Sequence, residues 1–178
     1  IINEIMRDPN SVLDVYGEWI ELYNSGSVPV DLNGLVLKDN DDDLHVIANS
    51  DIIYPDQYYV IGASSDINLN GGVIVDYVWS NFDLSNFFDE VIIEHPSGFI
   101  LDYLEYDYGQ SFISEQGYSI ELIDPVLDNN SGINWFLSEN IMASGDYGTP
   151  GQENSIVDSL GCGLLGDVNY DTLINILD

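Results

Sequence analysis

Near its end the chain places oxygen ligands at the spacing of a calcium loop. Asp167, Asn169, Asp171, Asn175 and Asp178 occupy loop positions 1, 3, 5, 9 and 12, and Leu173 at position 7 offers its backbone carbonyl. Ca²⁺ is a hard cation that gathers about 6–8 oxygens at roughly 2.3–2.6 Å, and this spacing wraps a short chain around one ion. Ile174 follows where such a loop turns into its exiting helix. Two positions depart from the usual pattern. Thr172 stands where a glycine normally makes the sharp turn, and Asp178 replaces the longer bidentate Glu. The chemistry indicated is metal binding, and calcium is the expected cofactor.

No other constellation carries comparable chemistry. The two histidines, His45 and His95, sit beside an acidic loop and before Pro96, and neither belongs to a nucleophile motif. There is no Gly-x-Ser-x-Gly, no His-Glu-x-x-His and no phosphate-cradling glycine loop before a helix. Carboxylates are so numerous that pairs at glycosidase distance would arise in any fold. No catalytic residues are therefore assigned, and a solvated acidic surface is the expectation. Asp39-Asn-Asp-Asp-Asp43 is read as a solvated loop, with a second cation as the alternative. Tyr54, Tyr58, Tyr59, Tyr103, Tyr106 and Tyr108 are dense for one domain. Sheet packing is their default use, but an exposed, contiguous tyrosine patch would stack on sugar rings.

Charge narrows the partners. The chain has 178 residues, 32 acidic and two basic (Arg7 and Lys38), for a net charge of -30. Self-repulsion at that level disfavours a compact state in dilute buffer, and salt relieves it. Nucleic acid is excluded as a partner, because binding it requires Lys and Arg against phosphates. Anionic membrane surfaces are disfavoured for the same reason. No apolar run reaches the roughly 20 residues of a membrane helix. The acidity does not mean disorder: 45% of residues are hydrophobic, with 12 Tyr, six Phe and three Trp. Cys162 is alone, so no disulfide framework is expected. The chain opens inside an apparent strand at Ile1-Ile2, as an excised or mature fragment would.

The elements that must carry these residues are short strands cut by turns. Ile1 to Met6 is the first, stopped by Asp8-Pro9-Asn10. Glu18 to Tyr23 alternates, with Ile20 and Leu22 on one face and Trp19, Glu21 and Tyr23 on the other. Further strands are expected at 28–32, 35–37, 44–48, 73–78, 90–94, 99–103 and 118–123, and 52–61 carries a kink or turn at Pro55-Asp56 followed by a strong strand. His95-Pro-Ser-Gly98 reads as a hairpin turn. Segments 128–132 and 144–154 read as loops. No sustained helical period precedes the tail, and strands at this spacing suggest a β-sandwich.

Several pieces now line up in order. They are Gly17-Glu-Trp-Ile-Glu-Leu-Tyr-Asn24, Val30-Asp-Leu-Asn-Gly-Leu-Val-Leu-Lys-Asp39, Ile53 to Ile61, Asp83-Leu-Ser-Asn86 with Asp89 to Ile93, Gly98 to Asp102, Gly117 to Glu121, Asn134-Trp135 and Gly148-Thr-Pro-Gly151. The set resembles the lamin tail domain in its bacterial secreted form, over residues 1–154. The resemblance implies an immunoglobulin-like β-sandwich that serves as a non-catalytic module of secreted or cell-surface proteins. Leu165-Gly166 and the Asp at loop position 12 make residues 167–178 resemble the first calcium repeat of a dockerin, with 155–166 as a linker. That second resemblance implies a cohesin-like protein partner.

The expected fold is therefore an all-β, immunoglobulin-like antiparallel sandwich with a C-terminal calcium-loop segment. The expected role is an extracellular structural or interaction module that engages a protein partner or neighbouring domains of its own polypeptide. Glycan binding through tyrosines is the alternative. A third reading, an accessory part of a secreted hydrolase, requires a concave pocket holding two carboxylates or a His–carboxylate pair. Trp19 and Trp135 are the expected core anchors. Asn24 and Gly34 are expected to shape turns, and Thr149-Pro-Gly151 to close the last one.

Overall fold

The computed structural model describes residues 1–107, 109 and 111–156. The calcium-loop residues Asp167, Asn169, Asp171, Leu173, Asn175 and Asp178, together with Tyr108, Cys162 and linker residues 157–166, lie outside that range.

Twelve strands are arranged among the described residues: β1 (Ile2–Met6), β2 (Trp19–Tyr23), β3 (Val30–Asp31), β4 (Val36–Lys38), β5 (Leu44–Val46), β6 (Ile52–Ile53), β7 (Tyr58–Gly62), β8 (Tyr77–Val78), β9 (Phe88–Glu94), β10 (Ile100–Asp107), β11 (Ile120–Leu122) and β12 (Trp135–Leu137). They form a six-stranded sheet in the order β12-β11-β1-β2-β7-β8, a four-stranded sheet in the order β10-β9-β4-β5, and the small β3–β6 pair. All pairings are antiparallel except β7 with β8. This is the all-β, immunoglobulin-like sandwich that the sequence leads one to expect.

The core lies between the two large sheets. Ile2 and Ile5 of β1, Ile20 and Leu22 of β2, Leu37 of β4, Ile61 of β7, Val91 and Ile93 of β9, and Leu104 and Tyr106 of β10 meet there. The alternation in β2 is as expected, because Trp19 and Glu21 point to the opposite side, towards a second cluster and a polar lattice. In β1 the register shifts between Ile2 and Glu4. Such a bulge breaks the two-residue period. Ile2 and Ile5 then share the core, while Asn3 and Glu4 both reach partners on the far side.

Turn chemistry explains the connections. Tyr54-Pro55-Asp56-Gln57 closes with Gln57 N–H donating to the Tyr54 carbonyl at 3.1 Å, and Asp56 has φ 62°. Pro at the second position and positive φ at the third are the type II pattern. At 95–99, Gly98 N–H donates to His95 O at 2.7 Å and Gly98 has φ 88°, which carries β9 into β10. Asn24 makes the expected local turn: its Oδ1 accepts from Gly26 N–H, and its Nδ2 donates to Val28 O and Ile53 O. Gly34 takes φ 81° at the bend before β4.

One expectation needs correction, and two short elements go beyond those expected. The strand expected over 73–78 is only Tyr77–Val78. Before it, Asn70 supplies the backbone with side-chain partners, donating to Ser64 O and Val73 O and accepting from Gly72 N–H, so the segment is held as a loop. Val73 is buried by packing on Met6, Trp19 and Val60. Residues 14–17 form a single helical turn, α1 (Asp14–Gly17), too short to produce a periodic signal. Trp135–Leu137 is a strand that pairs with β11, and its three residues are likewise below the length at which alternation can be read.

Candidate interaction site

The outer face of the six-stranded sheet holds an arrangement that sequence reasoning missed. Glu4 on β1 is in register with Glu21 on β2 and Glu121 on β11. All three are fully buried. Segment 148–156 covers them. Glu21 accepts from Asn3 Nδ2 at 2.8 Å and from Gly151 N–H at 2.6 Å. Glu121 accepts from the Ser155 N–H at 2.8 Å and from its hydroxyl at 2.7 Å. Glu4 accepts from the Ser119 hydroxyl at 2.5 Å and from Thr149 N–H at 2.8 Å. Asn154 ties in through Leu122 O and Asn3. Thr149-Pro-Gly151 thus closes the last turn by docking on carboxyls. The packing continues through Ser155 and Ile156, both buried.

One proton decides the charge of this lattice. Thr149 Oγ1 lies 2.9 Å from Glu4 Oε2 and 2.8 Å from Glu121 Oε1. A hydroxyl has a single proton to donate. If it donates to one carboxyl, the other contact requires a proton on the carboxyl itself. Glu4 suits that part: burial, then the neighbouring Glu21 and Glu121, push its pKa well above the usual carboxylate range. Burial likewise pushes Glu21 up to about 8. The lattice is a fastener for the chain, with every carboxyl engaged by the protein.

The open site lies on another side. A cleft of about 770 Å³ is bounded by α1, the loop 79–87 and the tip of the β4–β5 connection. Its floor is apolar: Trp79 and Phe82 meet edge to face at 5.3 Å, with Leu84 beside them. Val15 and Phe87 line it and are 64% and 65% exposed. Its charged residues are Asp14, Glu18, Asp43 and Asp83, and no basic residue lines it. Glu18 is only 4% exposed, and its Oε2 accepts from Leu84 N–H at 3.1 Å. Burial pushes the Glu18 pKa up to about 8, with Asp14, Asp83 and Asp89 adding to the rise. Burial also pushes Asp89, behind the cleft, up to about 6.

The other sequence candidates separate. In the loop 39–43, Asp39 Oδ1 accepts from the N–H groups of Asp41 and Asp43, so it shapes its own turn. Among the described residues, no group of three His, Cys, Asp or Glu side chains is placed to hold a metal ion. His45 is held by Ser80 through Nδ1, and its Nε2 faces Tyr77 OH at 3.0 Å. His95 caps its own turn through Ser97. The tyrosines do not make one patch: Tyr59 and Tyr106 are buried, and Tyr103 lies in the other sheet from Tyr58. What remains is a local pair, Tyr23 and Tyr58, with ring centres 4.9 Å apart beside a hollow of about 220 Å³ that Asp124 and Glu153 also line. The cleft is concave and holds carboxylates, which is the shape the hydrolase reading requires, but neither histidine lines it.

Among the described residues no helix is long and apolar enough to cross a membrane. No curated protein matches the chain. The model of the Lamin Tail Domain matches residues 1–109, which spans β1 to β10: the whole four-stranded sheet and four strands of the six-stranded one. These domains are immunoglobulin-like interaction modules without enzymatic activity. The match covers more than half of the chain and places it in the lamin tail domain family.

Proposed function

We propose that this lamin tail domain is a non-catalytic docking module of a larger extracellular protein. It holds a protein partner, or a neighbouring domain of its own polypeptide, on the sandwich, and its tail binds calcium. The observation that supports docking is the cleft of about 770 Å³, whose apolar floor is flanked by Val15 and Phe87. The spacing of Asp167, Asn169, Asp171, Leu173, Asn175 and Asp178 supports calcium. Ca²⁺ there would neutralise three carboxylates, and its binding energy would become folding energy for the tail. A cohesin-like partner would then read the ordered tail.

Calorimetric titration of the full chain with calcium tests the metal reading. One saturable site per chain is expected, weakened at least about tenfold by combining Asp167→Asn with Asp171→Asn, because the ion loses two of its charged ligands. Absence of saturable heat in the unsubstituted chain rejects the calcium site.

A second reading is favoured by the Tyr23–Tyr58 pair. Two neighbouring rings, tilted 31° to each other beside Asp124 and Glu153, offer a sugar both an apolar face and hydrogen-bond acceptors. Cellohexaose should then quench tyrosine fluorescence saturably, and Tyr58→Ala should abolish the change. A flat titration removes this reading.

A further inference from the structure

We propose that the cleft between α1 and the loop 79–87 receives a cationic, partly apolar peptide segment of a partner protein, a Lys or Arg flanked by an aliphatic or aromatic residue. The proposal rests on the docking reading and names the chemistry of the occupant.

Three observations lead there. First, the walls are of two kinds that match such a segment. Phe87 and Val15 stand exposed above the buried Trp79 and Phe82, so an apolar side chain finds a floor and two flanks. Second, Glu18 sets a carboxyl in the wall of the cleft. The residue is 4% exposed and its Oε2 accepts from Leu84 N–H, which fixes the carboxyl where a ligand ammonium or guanidinium can meet it. Third, the groups facing Glu18 are all acidic. Asp14 comes from α1, Asp83 from the loop 79–87 and Asp89 from β9, and Asp43 faces them from the β4–β5 connection. The chain's two cations are used elsewhere: Lys38 pairs with Glu94 at 2.6 Å, and Arg7 lies over the Tyr106 ring at 4.5 Å. Complementary charge must therefore come from outside.

A bare divalent ion fits this cleft less well. It needs several oxygens converging at roughly 2.3–2.6 Å. Among the described residues no trio of carboxyl, imidazole or thiol groups is so placed. The carboxyls are spread around an apolar floor, which suits a cation on a long aliphatic stem. Lys and Arg lay that stem on apolar surface while the head reaches a charge. The volume is within the range of clefts that enclose a few side chains.

The test is calorimetric titration of the full chain with the blocked peptide acetyl-Leu-Lys-Phe-Lys-amide in moderate salt. Moderate salt suppresses the general attraction of a chain with charge -30. Saturable one-to-one binding is expected. Glu18→Gln and Asp83→Asn should each weaken it by about fivefold or more, while Glu139→Gln on the far surface changes nothing. Phe87→Ser should weaken it as well, and acetyl-Gly-Lys-Gly-Lys-amide, with the same charge and no apolar groups, should bind poorly. Glu18→Gln keeps the acceptor for Leu84 N–H, so the fold is retained. Binding should also release a proton near neutral pH, read as a heat that depends on the buffer, since Glu18 gives up its proton to face the cation. Binding that is equally reduced by Glu139→Gln, or insensitive to the cleft substitutions, would show diffuse charge attraction and overturn the proposal, leaving docking elsewhere on the sandwich intact. No binding, or displacement of the peptide by magnesium acting at Glu18, overturns it too.

Discussion

Replacing Glu4 with Ala lowers the stability of the chain by about 3 kcal/mol at pH 6, because each buried donor left without an acceptor costs roughly 1–3 kcal/mol. The Ser119 hydroxyl and the Thr149 N–H both lose Glu4 Oε1. Replacing Glu4 with Gln has the opposite outcome: stability is kept at pH 6 and raised at pH 8. The amide oxygen accepts from Ser119 and Thr149, and the amide N–H donates to Thr149 Oγ1, as the protonated acid does. The same physics sets the pH dependence. The pKa values of Glu4, Glu18 and Glu21 are raised on folding, the last two to about 8. The folded chain therefore binds more protons than the unfolded chain, and stability falls as pH rises. The contribution is complete below the ordinary carboxylate value and is lost as pH passes through about 8. Calorimetric melts from pH 5 to 9 should show a midpoint lower at the alkaline end by roughly 5–10 °C, the scale of a few kcal/mol in a chain of this size. Glu4→Gln should flatten the slope. A midpoint that rises steadily to pH 8 would show carboxylates held ionised, and the lattice would then be misassigned.

Replacing Trp135 with Ala costs about 3–5 kcal/mol, the usual range for emptying a buried indole site. Trp135 is 2% exposed, packs against Phe112 at 6.3 Å between ring centres, and donates its Nε1–H to Asn129 O at 2.6 Å. Asn129 in turn donates to both oxygens of Asp102 on β10. The indole thus joins the six-stranded sheet to the loop 124–131 and, through it, to the opposite sheet. Trp135→Phe keeps much of the volume and loses the donor, so it should cost about 1–2 kcal/mol, near the value of one buried hydrogen bond plus a small void. Urea unfolding measures both. A loss below about 1 kcal/mol for Trp135→Ala would mean that the site is not part of the cooperative core.

Most of the sandwich was legible because its strands alternate. Trp19 to Tyr23 shows its two faces in the residue order, and Pro55-Asp56 and Pro96 to Gly98 announce their turns. Asp and Asn at loop tips are readable for the same reason. What was not legible is chemistry made by register. Glu4, Glu21 and Glu121 are far apart in sequence, and each looks like an ordinary outward-facing strand residue. Only the β11-β1-β2 pairing sets them side by side, and only the strap 148–156 buries them. A hint was present: Glu18-Trp-Ile-Glu-Leu pairs its acid with a large apolar residue on the same face, which a solvated face would not do. The cleft was illegible for a related reason. Asp14, Glu18, Asp43 and Asp83 come from three connections, and Phe87 precedes a strand rather than lying in one. The tyrosine patch failed as a whole because strand tyrosines alternate: Tyr58 faces out and Tyr59 faces in.

The claim that this module works by docking in the acidic cleft is tested most directly by amide chemical-shift mapping of the full chain with acetyl-Leu-Lys-Phe-Lys-amide. Shifts confined to residues 14–18, 43 and 79–89 are the predicted result. Shifts spread over the acidic surface, or centred on Tyr23 and Tyr58, would contradict it.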